Sequence, residues 1–405
     1  MTSRFLLCIS FISISIFCFA QKTNKAYAFT GQSNGNFNWR DIREIDLSTG
    51  KVSNTIFESD KSKFSLEIST KKKSALKSEA ALPTESMVAA AAYDRKHNKL
   101  FFTPMKIGEL RWLDLSSKTD NHKFYTLQNQ LLNTGNLTEE ANQITRMVIA
   151  SDGNGYAISN NADHLIRFST GKKTEINDLG KLIDAPANKI SIHNKTSWGG
   201  DVVSDVYGKL YLFTATQNVF IINIESKVAT WLGKIKNLSP TFTVNGAAVD
   251  EDDNVVISSA NTFEGFYKVN VKELTSVKIA TEGQVFNASD LANSNLLYQG
   301  QLENEVGTAQ LIQKEVIGTN NISVYPNPVI GNQFKVIFNN TKAGKYDIAL
   351  TDVSGRLIMT KQVNIRFEKQ QETVQMKMKP AGGLYLIKIA GAGKKSVFAN
   401  KIIIN

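Results

Sequence analysis

The chain has 405 residues, a formal net charge of +10 at neutral pH, two cysteines and four histidines. Both cysteines, Cys8 and Cys18, lie within the first 20 residues. The remainder therefore has no cysteine nucleophile, thiolate metal site or disulfide, and burial alone must hold it, which a chain of this length can manage.

Arg4 and the apolar stretch 5–19 precede Cys18-Phe19-Ala20, the small-residue pattern that a signal peptidase reads. Residues 1–20 are expected to be a signal peptide, cleaved after Ala20. A lipoprotein leader ending at Cys18 is the competing reading, and bulky Phe17 before it speaks against that. The stretch is short for a membrane span, and no later run approaches the ~18 apolar residues that a span needs. No transmembrane span is expected.

Residues 21–315 repeat a degenerate unit. Its first part is an Asp, an Asn or Gly three to five residues on, then an apolar run. Copies stand at Asp94, Asn98 and Leu100-Phe101-Phe102, and at Asp152, Gly155 and Tyr156-Ala157-Ile158. Others stand at Asp205, Gly208 and Leu210-Tyr211-Leu212, at Asp250, Asn254 and Val255-Val256-Ile257, and at Asp290, Asn295 and Leu296-Leu297-Tyr298. Ala26-Tyr27-Ala28-Phe29 is the run of a first copy without its Asp, which makes six. A second part follows, as in Ile42-Arg43-Glu44-Ile45-Asp46-Leu47 and Leu110-Arg111-Trp112-Leu113-Asp114-Leu115.

Each unit reads as strand, tight turn, strand, loop, strand, turn, strand. Asp caps the first turn and Gly or Asn tolerates its left-handed φ. Four-stranded units that cannot bury both faces alone stack into a ring, a β-propeller, here of six blades. The terminal blade is expected to draw strands from both ends, near Ala26 and near residues 286–290, which removes an exposed sheet edge. Residues 58–86 carry six lysines and no sheet pattern, so they read as a solvated loop; a partner-docking arm is the sharper alternative. In rhythm alone the body resembles six-bladed propellers of the NHL and sugar-lactone-lactonase-like group.

Ligands of such rings meet the loops that enter the innermost strands. Those positions are Ser86-Met87, Thr145-Arg146, Trp198-Gly199-Gly200-Asp201, Asn245-Gly246 and Asn287-Ala288. Arg146, Trp198, Asp201 and Asn245 form the candidate ligand-binding set, a mixture suited to a small polar or saccharide ligand. The plainer alternative is that Trp198 packs between blades and Gly199-Gly200 simply turns the chain.

Catalysis would need more. None of His97, His122, His164 and His193 is paired at metal spacing, and His193 is the acid/base candidate nearest the mouth. The resemblance implies, as an enzyme alternative, a lactonase-like hydrolase or a lyase using His193 with a metal on Asp201 and Asn245. Calcium is the cation such oxygen ligands would take. One formal charge among those ligands is thin, so a binding or scaffold module with no cofactor is the leading expectation. Asp250-Glu251-Asp252-Asp253-Asn254 occupies the repeated turn and lacks the Gly and distal Glu of a calcium loop.

The last 84 residues have their own pattern. Apolar runs near 322–324, 334–338, 346–350, 357–363, 374–378, 384–389 and 397–404 predict seven short strands, a small immunoglobulin-like β-sandwich. Four motifs punctuate them: Val324-Tyr325-Pro326-Asn327-Pro328, Asp352-Val353-Ser354-Gly355-Arg356, Gly382-Gly383-Leu384-Tyr385-Leu386 and Lys401-Ile402-Ile403-Ile404-Asn405. In order and spacing they resemble the type A C-terminal sorting domain of the type IX secretion system of Bacteroidetes. The sorting-signal residues carried by that resemblance are Pro326, Asn327, Pro328, Gly355, Arg356, Gly383, Tyr385 and Lys401. It implies passage through the periplasm to the cell surface or medium, with the secretion machinery and a surface sortase as partners.

Charge agrees with a division into body and tail. Residues 320–405 hold 13 Lys and Arg against four acids, a net of +9, and Arg4 supplies another charge, so residues 21–319 sum to zero. The basic excess is therefore no sign of nucleic-acid binding by the body. The expected organisation is a signal peptide (1–20), an all-β propeller (21–315), a linker (316–321) and a sorting domain (322–405).

Overall fold

The computed structural model describes residues 22–300 except 34, 70–81, 119 and 282. It also describes residues 321–404 except 328, 330, 340, 353–355, 368, 377–379 and 392–395. The expected signal peptide, linker residues 316–320, Pro328 and Gly355 lie outside the described residues. The chain divides into two compact units, Met1–Glu303 and Asn304–Asn405. Among the described residues no helix is long and apolar enough to cross a membrane.

The first unit is a propeller. Its strands are β1 (Lys25–Thr30), β2 (Asp41–Asp46), β3 (Val52–Phe57), β4 (Lys63–Ile68), β5 (Val88–Asp94), β6 (Lys99–Pro104), β7 (Glu109–Asp114) and β8 (Asn121–Gln128). Then come β9 (Ile144–Ile149), β10 (Gly155–Ser159), β11 (Leu165–Phe168), β12 (Ile176–Asp178), β13 (Ile183–Asp184), β14 (Asp201–Ser204), β15 (Lys209–Phe213), β16 (Asn218–Asn223) and β17 (Val228–Lys234). The last are β18 (Gly246–Val249), β19 (Val255–Ser258), β20 (Tyr267–Asn270), β21 (Thr275–Lys278) and β22 (Ala288–Ala292). They form sheets in the orders β22-β1-β2-β3, β4-β8-β7-β6-β5, β12-β11-β10-β9, β13-β17-β16-β15-β14 and β18-β19-β20-β21. We call these blades I to V. Five innermost strands, β22, β5, β9, β14 and β18, pack against one another in that order and close the ring.

Among the described residues the ring thus has five blades, not the expected six. The copies beginning at Ala26 and at Asp290 are one blade: β22 pairs antiparallel with β1, so the C-terminal end of the body supplies the innermost strand and the N-terminal end the next. Asp290 lies inside β22 and caps no turn. The expected closure from both ends is present, and it is what makes two copies into one. Residues 58–86 also differ from the expected loop, because β4 within them joins blade II as a fifth, parallel strand on β8. Phe64 packs edge-on against Phe57 of blade I, 6.0 Å between ring centroids. The strand covers an outer edge that would otherwise be open.

Five buried apolar clusters separate the blades, one at each junction. Phe29, Ile42 and Phe57 meet Phe102 and Phe124 between I and II, for example, and Val256 and Phe266 meet Ala26 and Ile45 between V and I. The repeated turn has the expected chemistry. Asp205 Oδ1 accepts the N–H groups of Tyr207 and Lys209 at 2.9 and 2.8 Å, and Gly208 takes φ +79°. Asp250 Oδ1 likewise accepts from Asp252 and Asn254, and Lys268 Nζ lies 2.9 Å from Asp250 Oδ2, so the acidic run is a capped, cation-paired turn.

The second unit is a sandwich of the seven expected strands: β23 (Asn321–Tyr325), β24 (Gln333–Asn339), β25 (Gly344–Asp352), β26 (Leu357–Ile365), β27 (Lys369–Gln375), β28 (Gly383–Ala390) and β29 (Ser396–Ile404). They make a three-stranded sheet, β23-β24-β27, and a four-stranded one, β26-β25-β28-β29. Phe334, Val336, Phe338, Ile348, Leu350, Ile387, Ile389, Ile402 and Ile404 fill the space between.

Candidate functional site

The innermost strand of each blade turns one unpaired edge toward the axis, and buried N–H groups there need acceptors. Two aspartates supply them. Asp201 Oδ1 accepts the N–H of Val202 and Oδ2 that of Ala247, each at 2.7 Å. The N–H groups of Leu291 and Met147 point at the same carboxylate. Asp290 Oδ2 accepts the N–H of Ala91 at 3.0 Å. Ala91, Met147, Val202, Ala247 and Leu291 belong to blades II, III, IV, V and I, so each blade contributes one donor to the carboxylate pair.

Both carboxyls are fully buried. Burial pushes Asp201 well above the usual carboxylate range, against the pull of its four N–H partners. Burial pushes Asp290 up as well, and the charge on Asp201 adds to it. Asp290 Oδ1 has no hydrogen-bond partner among the described residues. Each carboxyl opposes the ionisation of the other in this buried site, so both are raised and the proton they keep belongs to the pair. A small axial recess of about 10 Å³, room for little more than one water, is lined by residues of the same strands, including Ala91, Met147, Val202, Ala247 and Leu291.

Arg146 is fully buried beside this pair. Its Nε donates to Gly199 O at 3.0 Å, Nη1 to Ser159 O at 3.0 Å and Asn160 O at 3.3 Å, and Nη2 to Ser197 O at 2.5 Å. Burial pushes the guanidinium down to about 9, and the Asp201 charge opposes that shift. The side chain binds the innermost strand of blade III to the loop entering blade IV.

The structure sets Arg146 beside Asp201 and uses most of the polar groups of Arg146, Trp198, Asp201 and Asn245 internally. The Trp198 indole N–H donates to His193 O at 3.2 Å, and Lys195 Nζ lies 5.8 Å from its ring centroid. Asn245 Oδ1 accepts from Ala260 N and Thr243 Oγ1. His193 places Nδ1 2.7 Å from Asn161 O and Nε2 3.1 Å from Leu182 O, so neither ring nitrogen is free for proton transfer with a substrate. A carboxylate already ringed by N–H donors, as Asp201 is, makes a poor cation ligand. The Trp198 ring itself is half-buried. Phe37, 47% exposed, adds a second aromatic surface, 5.5 Å from Phe263 between ring centroids.

Sequence reasoning missed Asp290, taking it for a turn residue. The available signal was an acid inside an otherwise small and apolar strand, Ala288-Ser289-Asp290-Leu291-Ala292.

In the second unit the first motif meets the last strand, while the middle motifs bond locally. Asn327 Oδ1 accepts Ile403 N at 2.8 Å and its Nδ2 donates to Lys401 O at 3.1 Å, so the side chain pairs with β29 as a strand would. Val329 N continues this, donating to Ile403 O at 2.7 Å. Arg356 N and Nε donate to the Asp352 carboxylate at 3.0 Å. Tyr385 OH donates to Ala381 O at 2.6 Å, and Gly383 takes φ +156° where β28 begins.

Comparison with known proteins adds the following. None of the curated proteins matches the chain. Similar solved structures include PorZ, an essential surface component of the type IX secretion system of Porphyromonas gingivalis (14% identity, TM-score 0.32), which covers 92% of this chain. The match spans only about half of PorZ, 51%. Virginiamycin B lyase from Staphylococcus aureus (12% identity, TM-score 0.33) covers 94% of this chain and 95% of its own. The periplasmic gluconolactonase PpgL from Pseudomonas aeruginosa (7% identity, TM-score 0.33) covers 94% and 96%. These likenesses are too loose to transfer residue roles. The tail is different: residues 323–405 match the family model of the secretion system C-terminal sorting domain.

Proposed function

We propose that this chain is a type IX export substrate whose propeller acts as a binding module at or beyond the cell surface. The match over residues 323–405 carries the export half of this reading. Residues 1–20 serve as the signal peptide into the periplasm of a Bacteroidetes cell. A surface sortase then removes the sorting domain near residues 318–321, and the body is released or retained on the surface.

The binding half rests on the chemistry of the axis. The ionisable side chains gathered there hold strands together, since Asp201, Asp290 and Arg146 are paired with backbone groups of neighbouring blades. On this reading the accessible aromatic groups, the half-buried Trp198 ring and the Phe37–Phe263 pair, line the mouth with Asn245. Aromatic faces flanked by amides suit stacking on a small polar or saccharide ligand.

A type IX-competent host expressing the full chain or residues 1–303 tests export. The full chain is expected in the medium or on the surface and the shortened one in the periplasm; equal export of both would overturn the reading. For binding, a glycan and peptide array probed with the purified body is expected to give hits that Trp198→Ala removes while the melting temperature is kept. Hits unaffected by that substitution would place the binding surface elsewhere.

A further inference from the structure

Strand alternation divides the tail's motifs into two sets. Tyr385, Ile387, Ile402 and Ile404 face inward and are buried. Leu384, Leu386, Lys401 and Ile403, interleaved with them, face outward. The register sets Leu357 opposite Thr351, Thr351 opposite Leu386, Leu386 opposite Lys401, and Leu384 opposite Ile403. At one end of the four-stranded sheet these residues form a continuous outward patch. Leu357 is 57% exposed, Leu386 39% and Ile403 40%. Lys401 Nζ is shielded from solvent and has no hydrogen-bond partner among the described residues. Solvent-facing strands ordinarily carry polar side chains, and neither the apolar cluster nor the unpartnered ammonium helps to hold the sandwich.

We infer that this face docks a protein surface presenting an apolar groove rimmed by carboxylates. The groove would cover Leu357, Leu384, Leu386 and Ile403, and one rim carboxylate would pair with Lys401. Charge favours such an occupant over a second copy. The tail carries 13 basic residues against four acids, so two tails placed patch to patch would repel. The inference rests on the export reading and adds the surface through which the tail is read, with its partner a protein of the export route.

The test uses the full chain in a type IX-competent host, with Leu386→Asp, Leu386→Ser, Lys401→Glu and the 1–303 chain compared by extracellular yield. Each purified point variant is also melted. Leu386→Asp and Lys401→Glu are expected to lower extracellular yield about tenfold or more, since each buries an unpaired or repelling carboxylate in the complex, while the melt is kept. If Leu386→Asp unfolds the tail, Leu386→Ser and Lys401→Glu still decide. Normal export of these variants while residues 1–303 stay behind would overturn the docking face and leave the export reading standing. Export of residues 1–303 would overturn both. A concentration-dependent dimer of the full chain broken by Leu386→Asp, or binding to anionic vesicles lost with Lys401→Glu, would also overturn the protein-groove assignment.

Discussion

The Asp290 carboxylate, on the strand that closes the ring, accepts the N–H of Ala91 on the innermost strand of blade II at 3.0 Å. Ring closure usually depends on the ladder between terminal strands, here β22 on β1. In this chain it also depends on charge at the axis, because Asp201 draws on the N–H of Leu291, one residue along the same closing strand.

Stability should therefore fall as pH rises. A carboxyl whose folded pKa lies above its unfolded value holds a proton in the native state that the unfolded chain releases. Stability is then lost across the window between the ordinary carboxylate range and the raised value, by up to about 1.4 kcal/mol per pH unit for one proton. Asp201 and Asp290 are both raised, and Arg146 is the cation that faces Asp201. Glu109 and Asp184 act in a different window. Burial pushes each up, but hydrogen bonds from Gln128 and Arg111 to the first, and from Ser191 and Ile192 to the second, hold both below the ordinary range. Their contribution is lost only in stronger acid. The melting temperature is expected to drop as pH rises above the ordinary carboxylate range. Asp290→Asn, which keeps an acceptor for Ala91, should remove most of that drop; an unchanged slope would assign the effect to other groups.

Replacing Arg146 tests the second axial device. Arg146→Met takes the guanidinium donors from the carbonyls of Asn160, Ser197 and Gly199, leaves Ser159 O with the N–H of Ala162 alone, and leaves Asp201 without its cation. A loss of about 3–5 kcal/mol is expected in denaturant titration, as for breaking other buried charge arrangements. Arg146→Lys keeps the charge but cannot reach four acceptors on three sides, so it should recover only part of the loss. Full recovery with lysine would mean that charge, not the guanidinium fork, does the work.

Gly200 bears on the loop that enters blade IV. Its φ is +86°, and a Cβ there would stand 1.7 Å from Phe213 O, a backbone atom. Gly200→Ala should cost about 3 kcal/mol or more, since neither strain nor clash can be relieved by a side-chain rotation. A near-normal melt would show that this loop has freedom to rearrange.

What the sequence disclosed follows the range of the interactions involved. The Asp205 and Asp250 turns were legible because the carboxylate meets N–H groups two and four residues on. The seven tail strands were legible from alternation. Arg146 was found at the axis, but its role was not, because its acceptors Ser197 and Gly199 lie more than 50 residues away. The blade count failed for the same reason. Only the pairing of β1 with β22, more than 250 residues apart in the chain, shows that the first and last copies share one sheet. β4 was hidden because its parallel partner, β8, comes more than 50 residues later, and its sequence, Lys63-Phe64-Ser65-Leu66-Glu67-Ile68, is half polar.

Asn327 offers a last test, since it joins the first motif of the tail to the last. Its amide makes both a donor and an acceptor contact with β29, at Lys401 O and Ile403 N, where that strand would otherwise present an open edge. Asn327→Ala removes both contacts from an exposed position, so water replaces them and the expected cost is only about 1 kcal/mol. The effect should nevertheless be local and visible. Amide exchange of Ile403 should quicken about fivefold, the factor that 1 kcal/mol of local opening gives, while Ile387 and Ile389, inside the same sheet, stay as protected as before. Asn327→Asp separates the two contacts, keeping the acceptor for Ile403 and losing the donor to Lys401, and should fall between. Uniform loss of protection across the sheet would instead make Asn327 part of the sandwich's global stability, not a clasp on its final strand.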